Sequence, residues 1–311
     1  MTVRLGELPV NKGLMVGGAA EAAQASGRSG LITVRRALRG IPRTPVVILT
    51  LFLVCGIFGN FITPHDPMKT NLGAAKSPPF FQQGGSTKYL LGTDGFGRDI
   101  LSRIIKGAGI SLQVGFAVVV FAGSLGAVIA LLSGYLGGWV DAVLMRITDM
   151  LLSMPYLMIA IALTAVLGPS KNNIILIMAI LGWASYARVL RGEVLRIKGA
   201  DFIKLAIVAR ASKARIMLRH IFPNIVNTLI VLATLQLGSV IIMESSLSFL
   251  GLGVPPPEPA WGSMVADGRV MIFSSWWVST WPGVAILLVV LSCNLLGDWL
   301  RLRLDPKFRQ L

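Results

Sequence analysis

Long stretches without charged residues divide this chain into alternating apolar and polar segments. A helix that crosses a hydrocarbon core about 30 Å thick needs roughly 20 apolar residues, and six windows free of Asp, Glu, Lys and Arg approach or exceed that length. The pattern predicts an all-α integral membrane protein with six transmembrane helices. They lie at about residues 45–64, 108–136, 142–168, 172–190, 223–245 and 278–299 of a transmembrane domain spanning 41–311.

Basic residues are concentrated in three of the segments that lie outside these windows. These segments precede the first window, separate the fourth from the fifth, and follow the sixth, so six spans place all three on one side. Cytoplasmic segments of membrane proteins are enriched in Lys and Arg. We therefore expect both termini, an N-terminal tail at 1–40 and a loop at 191–222 in the cytoplasm, with outer loops at 65–107 and 246–277.

The composition excludes several other classes of protein. Only 14% of the residues are charged and the mean hydropathy is +0.73, whereas soluble domains carry about 25% charged residues. The net charge of +15 favours nucleic acid only if it forms a soluble patch; here membrane topology accounts for it, so no nucleic-acid partner is expected. No phosphate-cradling loop or nucleophile elbow occurs. Cys55 and Cys293 form no metal-binding pair, so we expect neither an enzyme nor a cofactor in this chain.

The predicted cytoplasmic loop contains an apolar helix followed by a basic segment. In "DFIKLAIVARASKARIMLRHIFPN", residues 201–224, Asp201 is suited to cap a helix beginning at Phe202. A turn near Ala211–Ser212 and a basic linker would then lead to Pro223 in the first turn of the fifth span. An exposed apolar surface marks a binding site. The predicted docking residues are Asp201, Phe202, Ile203, Lys204, Leu205, Ala206, Ile207, Arg210, Ala211 and Ser212.

The same stretch resembles the coupling segment of ABC importer permeases. The segments "LGTDGFGRDILSRIIKGAGISLQVG", "SGYLGGWVDAVLMRITDMLLSMP", "SLSFLGLGVPPPEPAWGSM" and "NLLGDWLRLRLDP" resemble the second, shorter permease of the dipeptide, oligopeptide and nickel importers. The resemblance covers nearly the whole chain after residue 40. This chain departs from the family at two points: the Glu-Ala-Ala of the coupling segment falls on Lys204, Leu205 and Ala206, and its Gly falls on Arg210.

The resemblance implies a type I ABC importer permease fold in the bacterial cytoplasmic (inner) membrane. It further implies a second related permease, two ATPase subunits that bind ATP and Mg²⁺ and receive the coupling helix, and an extracytoplasmic substrate-binding protein, all assembled in membrane lipid. Peptides are the expected substrates. Nickel chelates and glutathione-like compounds remain alternatives. An ion-coupled secondary transporter is the alternative from another class, although such proteins usually show internal repeats and ionisable groups at mid-membrane.

Four further residues are candidates for the pathway or its gate. Asp149 shares a helical face with Arg146 and forms either a local ion pair or a hinge contact. Glu244 ends the fifth span, where an ionisable group either lines a pathway or hydrogen-bonds the surrounding structure. Met154 and Pro155 mark a kink inside the third window.

Overall fold

The computed structural model describes residues 42–304, so the predicted tail at 1–40 lies outside the described residues. Within this range the regular elements are helices, apart from one isolated bridge between Thr93 and Asp99. The helices are α1 (Arg43–Ile62), α2 (Ile100–Leu136), α3 (Gly138–Ser153), α4 (Tyr156–Leu167), α5 (Lys171–Lys198), α6 (Asp201–Val208), α7 (Lys213–Phe249), α8 (Trp261–Arg269) and α9 (Trp277–Leu304). Below, the inner ends of helices are those beside the basic segment between α5 and α7, and the outer ends are the opposite ones.

Five of the described helices are long and apolar enough to cross a membrane. They are α1, α2, α5, α7 and α9, and the bent pair α3 and α4 adds a sixth span if the pair counts as one. The prediction of an all-α membrane protein with six apolar windows is therefore confirmed. Both α2 and α7 have 37 residues, so they extend by several turns beyond the windows that predicted them.

The third window contains a break. Met154 is extended, with φ −90° and ψ 142°, and Pro155 precedes α4 with φ −64° and ψ 109°. Proline lacks an amide hydrogen and pushes the residue before it out of the helical region. The axes of α3 and α4 consequently differ by 88°. At 1.5 Å per residue, the two helices are only about 24 and 18 Å long, so the interval 142–168 is a broken element.

Small residues bring α2 and α5 into close contact. A Cβ atom added to Gly126 would lie 2.5 Å from the Cβ of Tyr186, and one added to Gly134 would lie 2.7 Å from a Val194 methyl group. Close approach of backbones replaces the hydrophobic driving force between helices in lipid. At the inner end, the Lys198 ammonium donates to the Tyr135 carbonyl oxygen at 2.7 Å. The inner end of α5, where the basic segment begins, is thereby fixed to α2.

A group of charged side chains connects the two predicted outer loops. Asp94 is buried, and its carboxylate lies 2.7 Å from Nε of Arg98 and 3.7 Å from Nε of Arg103. Arg98 also approaches Asp267 of α8 at 4.0 Å. Burial raises the pKa of Asp267, and Arg103 and Arg98 oppose that rise. Loop 65–107 is therefore folded against α8 of the second outer loop.

Candidate functional site

Helix α6 begins without a side-chain cap. Ala200 occupies the N-cap position and makes no side-chain hydrogen bond there, so the predicted capping role of Asp201 is not observed. The helix begins one residue earlier than predicted, and the Asp201 carboxylate accepts from the Lys204 ammonium at 2.9 Å. A carboxylate in the first turn still interacts favourably with the helix dipole. Asp201 and Lys204 thus form an exposed pair one turn apart.

Helix α6 buries one large apolar side chain and exposes four others. Ile203 is fully buried, which corrects the prediction that it enters a partner. The residues packed with it on α5 and α7 include Val194, Ile197, Ile216, Ile221 and Ile225. Phe202, Leu205, Ile207 and Val208 are exposed instead, Leu205 by 68% and Val208 by 80%. We call these four residues the α6 surface.

Arg210 ends this helical segment in a left-handed conformation, with φ 56°. Its amide donates to the Ile207 carbonyl at 2.9 Å, and the Ala211 amide donates to the Ala206 carbonyl at 3.1 Å. These two bonds define a Schellman motif, and both alanines also pack against the hydrophobic cluster that contains Ile203. Glycine usually occupies such a position because it has no Cβ. The turn is therefore retained although arginine replaces the family's glycine.

Cationic side chains border the α6 surface. Lys204, Arg210, Lys213 and Arg215 are all exposed, and Asp201 is the one acidic residue between 201 and 219. The Ser212 hydroxyl accepts from the Arg215 amide at 3.3 Å and caps the start of α7. The site therefore combines an apolar centre with a positively charged rim, a surface suited to an apolar groove with acidic edges.

Two ion pairs join α3 to α5 near the site. Asp141 receives two hydrogen bonds from Arg191, each 2.5 Å long, and such bidentate pairs fix orientation. Asp149 pairs with Arg188 on α5 and not with Arg146, the partner predicted from helical spacing. Whether Asp149 acts at a gate stays a prediction. The two pairs attach α3 to the same helix that leads into α6.

Glu244 is buried between α7 and α2. Its carboxyl group accepts from the Ser248 hydroxyl at 2.7 Å and from the Ser111 hydroxyl at 3.5 Å. Within residues 42–304 it forms no salt bridge, and no group of three potential metal ligands occurs in that range. Met154, by contrast, is half exposed at the break before α4. The pathway and gate roles of both residues stay predictions.

Helix α7 exposes polar side chains among its apolar ones. Asn227 and Ser239 are exposed, and so are Ile230 and Ile242. Helix α1 exposes large apolar side chains, for example Ile57 and Phe61, as a lipid-facing helix does. The Gln236 amide of α7 also donates to the Ser185 hydroxyl of α5 at 2.7 Å.

Gln236 and Ser185 are not among the residues that the sequence predicted to be functional. The available signal was a pair of polar residues inside otherwise apolar windows, and polar side chains within membrane helices usually face a bundle interior or an aqueous cavity. Their hydrogen bond joins α5 and α7 beyond the inner cluster that holds α6. The polar residues of α7 are therefore a second candidate site, distinct from the α6 surface.

Comparison with known proteins gives a consistent result. The family described as "Binding-protein-dependent transport system inner membrane component" matches residues 126–310. The dipeptide transport system permease protein DppC of Escherichia coli strain K12 is 44% identical over 85% of this chain and 87% of its own length. The di/tripeptide transport system permease protein DppC of Pseudomonas aeruginosa is 39% identical over 85% of this chain and 87% of its own length. The probable D,D-dipeptide transport system permease protein DdpC of E. coli is 41% identical over 87% and 89%.

Proposed function

Because this chain belongs to the family of binding-protein-dependent transport system inner membrane components, we propose that it imports di- or oligopeptides as one of two permease subunits of an ATP-driven transporter. It is a transporter subunit and not an enzyme. The peptide substrate is supported by the names of three relatives that each match at least 85% of this chain. None of those names mentions nickel or glutathione-like compounds.

The α6 surface is the proposed attachment point for one ATPase subunit. Its exposed apolar side chains are the observation that carries the proposal, because they lie on a short helix at the inner ends of the spans, where lipid does not cover them. Each apolar side chain of this size stabilises a complex by roughly 1.5–3 kcal/mol when it is fully buried. ATP and Mg²⁺ would bind the partner ATPases, one beneath each permease, and this subunit would hold neither.

The cationic rim specifies the chemistry of the expected groove. Lys204 and Arg210 stand where the resembling family has Glu and Gly, so this subunit presents positive charge where an acidic contact is usual. We expect an acidic residue of the ATPase groove to approach one of these two cations. An arginine can meet a carboxylate with two parallel hydrogen bonds, a contact that glycine cannot make.

Polar residues of α7 are the proposed contribution of this subunit to the lining of the translocation pathway. A peptide crossing the membrane carries amide donors and acceptors that need partners at every depth. Asn227, Ser239 and the hydrogen-bonded pair Gln236–Ser185 supply such groups along one helix. A second related permease would complete the pathway, and an extracytoplasmic binding protein would deliver the peptide to its outer end. We propose that both termini lie in the cytoplasm in this arrangement, which the distribution of basic residues supports.

Charged substitutions on the α6 surface test the attachment. The double variant Phe202→Asp, Leu205→Asp is purified with its partner subunits, and retention of the ATPases and peptide-stimulated ATP hydrolysis in proteoliposomes are measured. We expect retention to fall at least 100-fold, since two lost burials are worth about 3 kcal/mol or more. The matched control Phe273→Asp alters a fully exposed phenylalanine of the predicted outer loop and should retain the ATPases. Unchanged assembly and coupling in the double variant would show that α6 is not the attachment point.

Uptake of a labelled dipeptide tests the substrate. Proteoliposomes containing the assembled importer and its binding protein should accumulate the dipeptide only when ATP is present on the side of the membrane that carries the ATPase subunits. Excess unlabelled dipeptide should compete, whereas a nickel chelate or glutathione should not. Absence of dipeptide accumulation, together with ATP-dependent accumulation of a nickel chelate or of glutathione, would replace the proposed substrate.

A further inference from the structure

A cavity of about 440 Å³ lies at the outer end of α1. Its lining includes Asn60, Thr63, His65, Asp66, Met68 and Lys106. The volume lies within the range of 300–1,000 Å³ that is usual for sites that bind small molecules. The cavity opens to the surface of the protein between the end of α1 and the beginning of α2. Neither the α6 surface nor the polar residues of α7 contribute to it.

Hydrogen bonds hold the cavity wall in place. The His65 amide donates to the Ser102 hydroxyl of α2 at 3.0 Å, and the Arg103 guanidinium donates to the Pro67 carbonyl at 3.2 Å. The Met68 amide donates to the Asp66 carboxylate at 2.9 Å, which closes a local turn. The segment after α1 is therefore attached to α2 at two points, and the cavity is a formed feature of the fold.

Two opposite charges face this cavity without an ion-pair partner in the described part of the chain. The Lys106 ammonium donates to the Asn60 side-chain oxygen in an exposed contact, which leaves donors available because an ammonium group carries three. Asp66 accepts from the Met68 amide and has further acceptor capacity. His65 is directed elsewhere, since its Nδ1 lies 3.3 Å from Asp99. The cavity therefore offers one cation and one anion to a ligand.

The depth of the cavity places it beside the lipid headgroups. Helix α1 exposes Ile57, Phe58 and Phe61 just below it, Phe61 by 86%, and such side chains contact acyl chains. Helix α1 ends at Ile62, so the hydrocarbon region ends near the cavity. Lysines near the ends of membrane helices place their ammonium groups at this interface.

We propose that this cavity binds the zwitterionic headgroup of a phospholipid, with the phosphodiester on Lys106 and the headgroup ammonium on Asp66. The separate cation and anion match a phosphoethanolamine group, and the apolar side of α1 would hold the acyl chains. Free inorganic phosphate shares the contact with Lys106 but gains nothing from α1 and is repelled by Asp66. The lipid site rests on the proposed function in one respect: the proposed topology assigns the lipid to the outer leaflet. Lipid retention is measured without transport, so the lipid site and the transport function can be refuted independently.

The test is native mass spectrometry of the full chain in its assembled importer. The complex is delipidated in detergent and titrated with phosphatidylethanolamine, phosphatidylglycerol or inorganic phosphate. Lys106→Gln keeps a polar side chain of similar length, and retention of phosphatidylethanolamine should fall about fivefold, the usual effect of one interfacial lysine on an anionic lipid group. The matched control Lys88→Gln alters an exposed lysine of the same outer loop and should retain the lipid as the native chain does.

A second variant tests the anionic half of the site. Asp66→Asn should lower the preference for phosphatidylethanolamine over phosphatidylglycerol while leaving the total lipid bound nearly unchanged. Thermal melting of each variant is measured first, and a melting temperature equal to that of the native complex shows that the fold is intact. Equal retention by the Lys106→Gln and Lys88→Gln variants would overturn the proposal. Displacement of the lipid by inorganic phosphate would overturn it as well, because it would identify a free anion as the ligand.

Discussion

Replacing Arg210 by glycine should stabilise the end of α6, whereas replacing it by alanine should not. The residue has φ 56°, and a left-handed conformation costs a residue with a Cβ about 1–2 kcal/mol. Glycine avoids that cost but loses roughly 0.5–1 kcal/mol through the greater freedom of the unfolded chain. The net difference between the glycine and alanine variants should therefore be about 1 kcal/mol, which is about fivefold in an equilibrium constant.

Hydrogen–deuterium exchange of the assembled importer measures this difference. The amides of residues 210 and 211 close the Schellman motif, so their exchange reports its local opening. Exchange in the Arg210→Gly variant should be about fivefold slower than in the Arg210→Ala variant. Both variants lose the guanidinium group, so the comparison isolates the backbone conformation. The Arg210→Lys variant keeps the charge and the unfavourable conformation, and it should retain the ATPase better than the other two.

Equal exchange rates in the glycine and alanine variants would refute this prediction. That result would mean that residue 210 does not hold its left-handed conformation in the assembled importer. Faster exchange in the glycine variant would show that the entropy cost of glycine outweighs the steric gain from removing Cβ. It would refute the free energies expected for residue 210.

Three further predictions concern packing, topology and energy supply. Gly126→Ala should destabilise the protein by about 1–3 kcal/mol through overpacking of α2 against α5, whereas Gly192→Ala, whose new Cβ would meet nothing within 4 Å, should stabilise α5 by up to about 1 kcal/mol. Thermal melting in detergent compares the two, and equal effects would contradict the packing argument. Cysteines introduced at Ser86 and Ser212 should react oppositely with an impermeant thiol reagent on intact cells: Ser86→Cys is labelled and Ser212→Cys is not, and the reverse pattern would invert the topology. The purified subunit alone should hydrolyse no ATP, and steady hydrolysis that persists through further purification would contradict this expectation.

The apolar windows predicted the membrane helices well because charge is so costly in lipid. An apolar window does not show where a helix ends. The windows therefore underestimated the lengths of α2 and α7, because the polar outer turns of α2 and the polar inner turns of α7 lie beyond the hydrocarbon. The sharp break at Met154–Pro155 was visible only as a kink. The bend of 88° depends on how α3 and α4 pack, and local sequence does not specify that packing.

The segment that contains α6 shows a similar division. Its apolar composition predicted an exposed helix near 201–211, since no membrane lies beside it. The composition could not tell which side of an eight-residue helix faces inward, so Ile203 was grouped with side chains that are exposed. The pairing of Asp149 with Arg188 could likewise not be predicted, because residues 39 positions apart are brought together only by the fold. The left-handed Arg210 was hard to predict, since arginine seldom adopts that conformation.

The burial of Ile203 links the position of α6 to two membrane helices at once. Its side chain belongs to a cluster formed by residues from the inner ends of both α5 and α7, and close-packed interiors have low compressibility. A displacement of α6 would therefore disturb the packing at both helix ends. An enlarging substitution at this position would strain that packing and a truncating one would loosen it, so the attachment of α6 to the two spans depends on one aliphatic side chain.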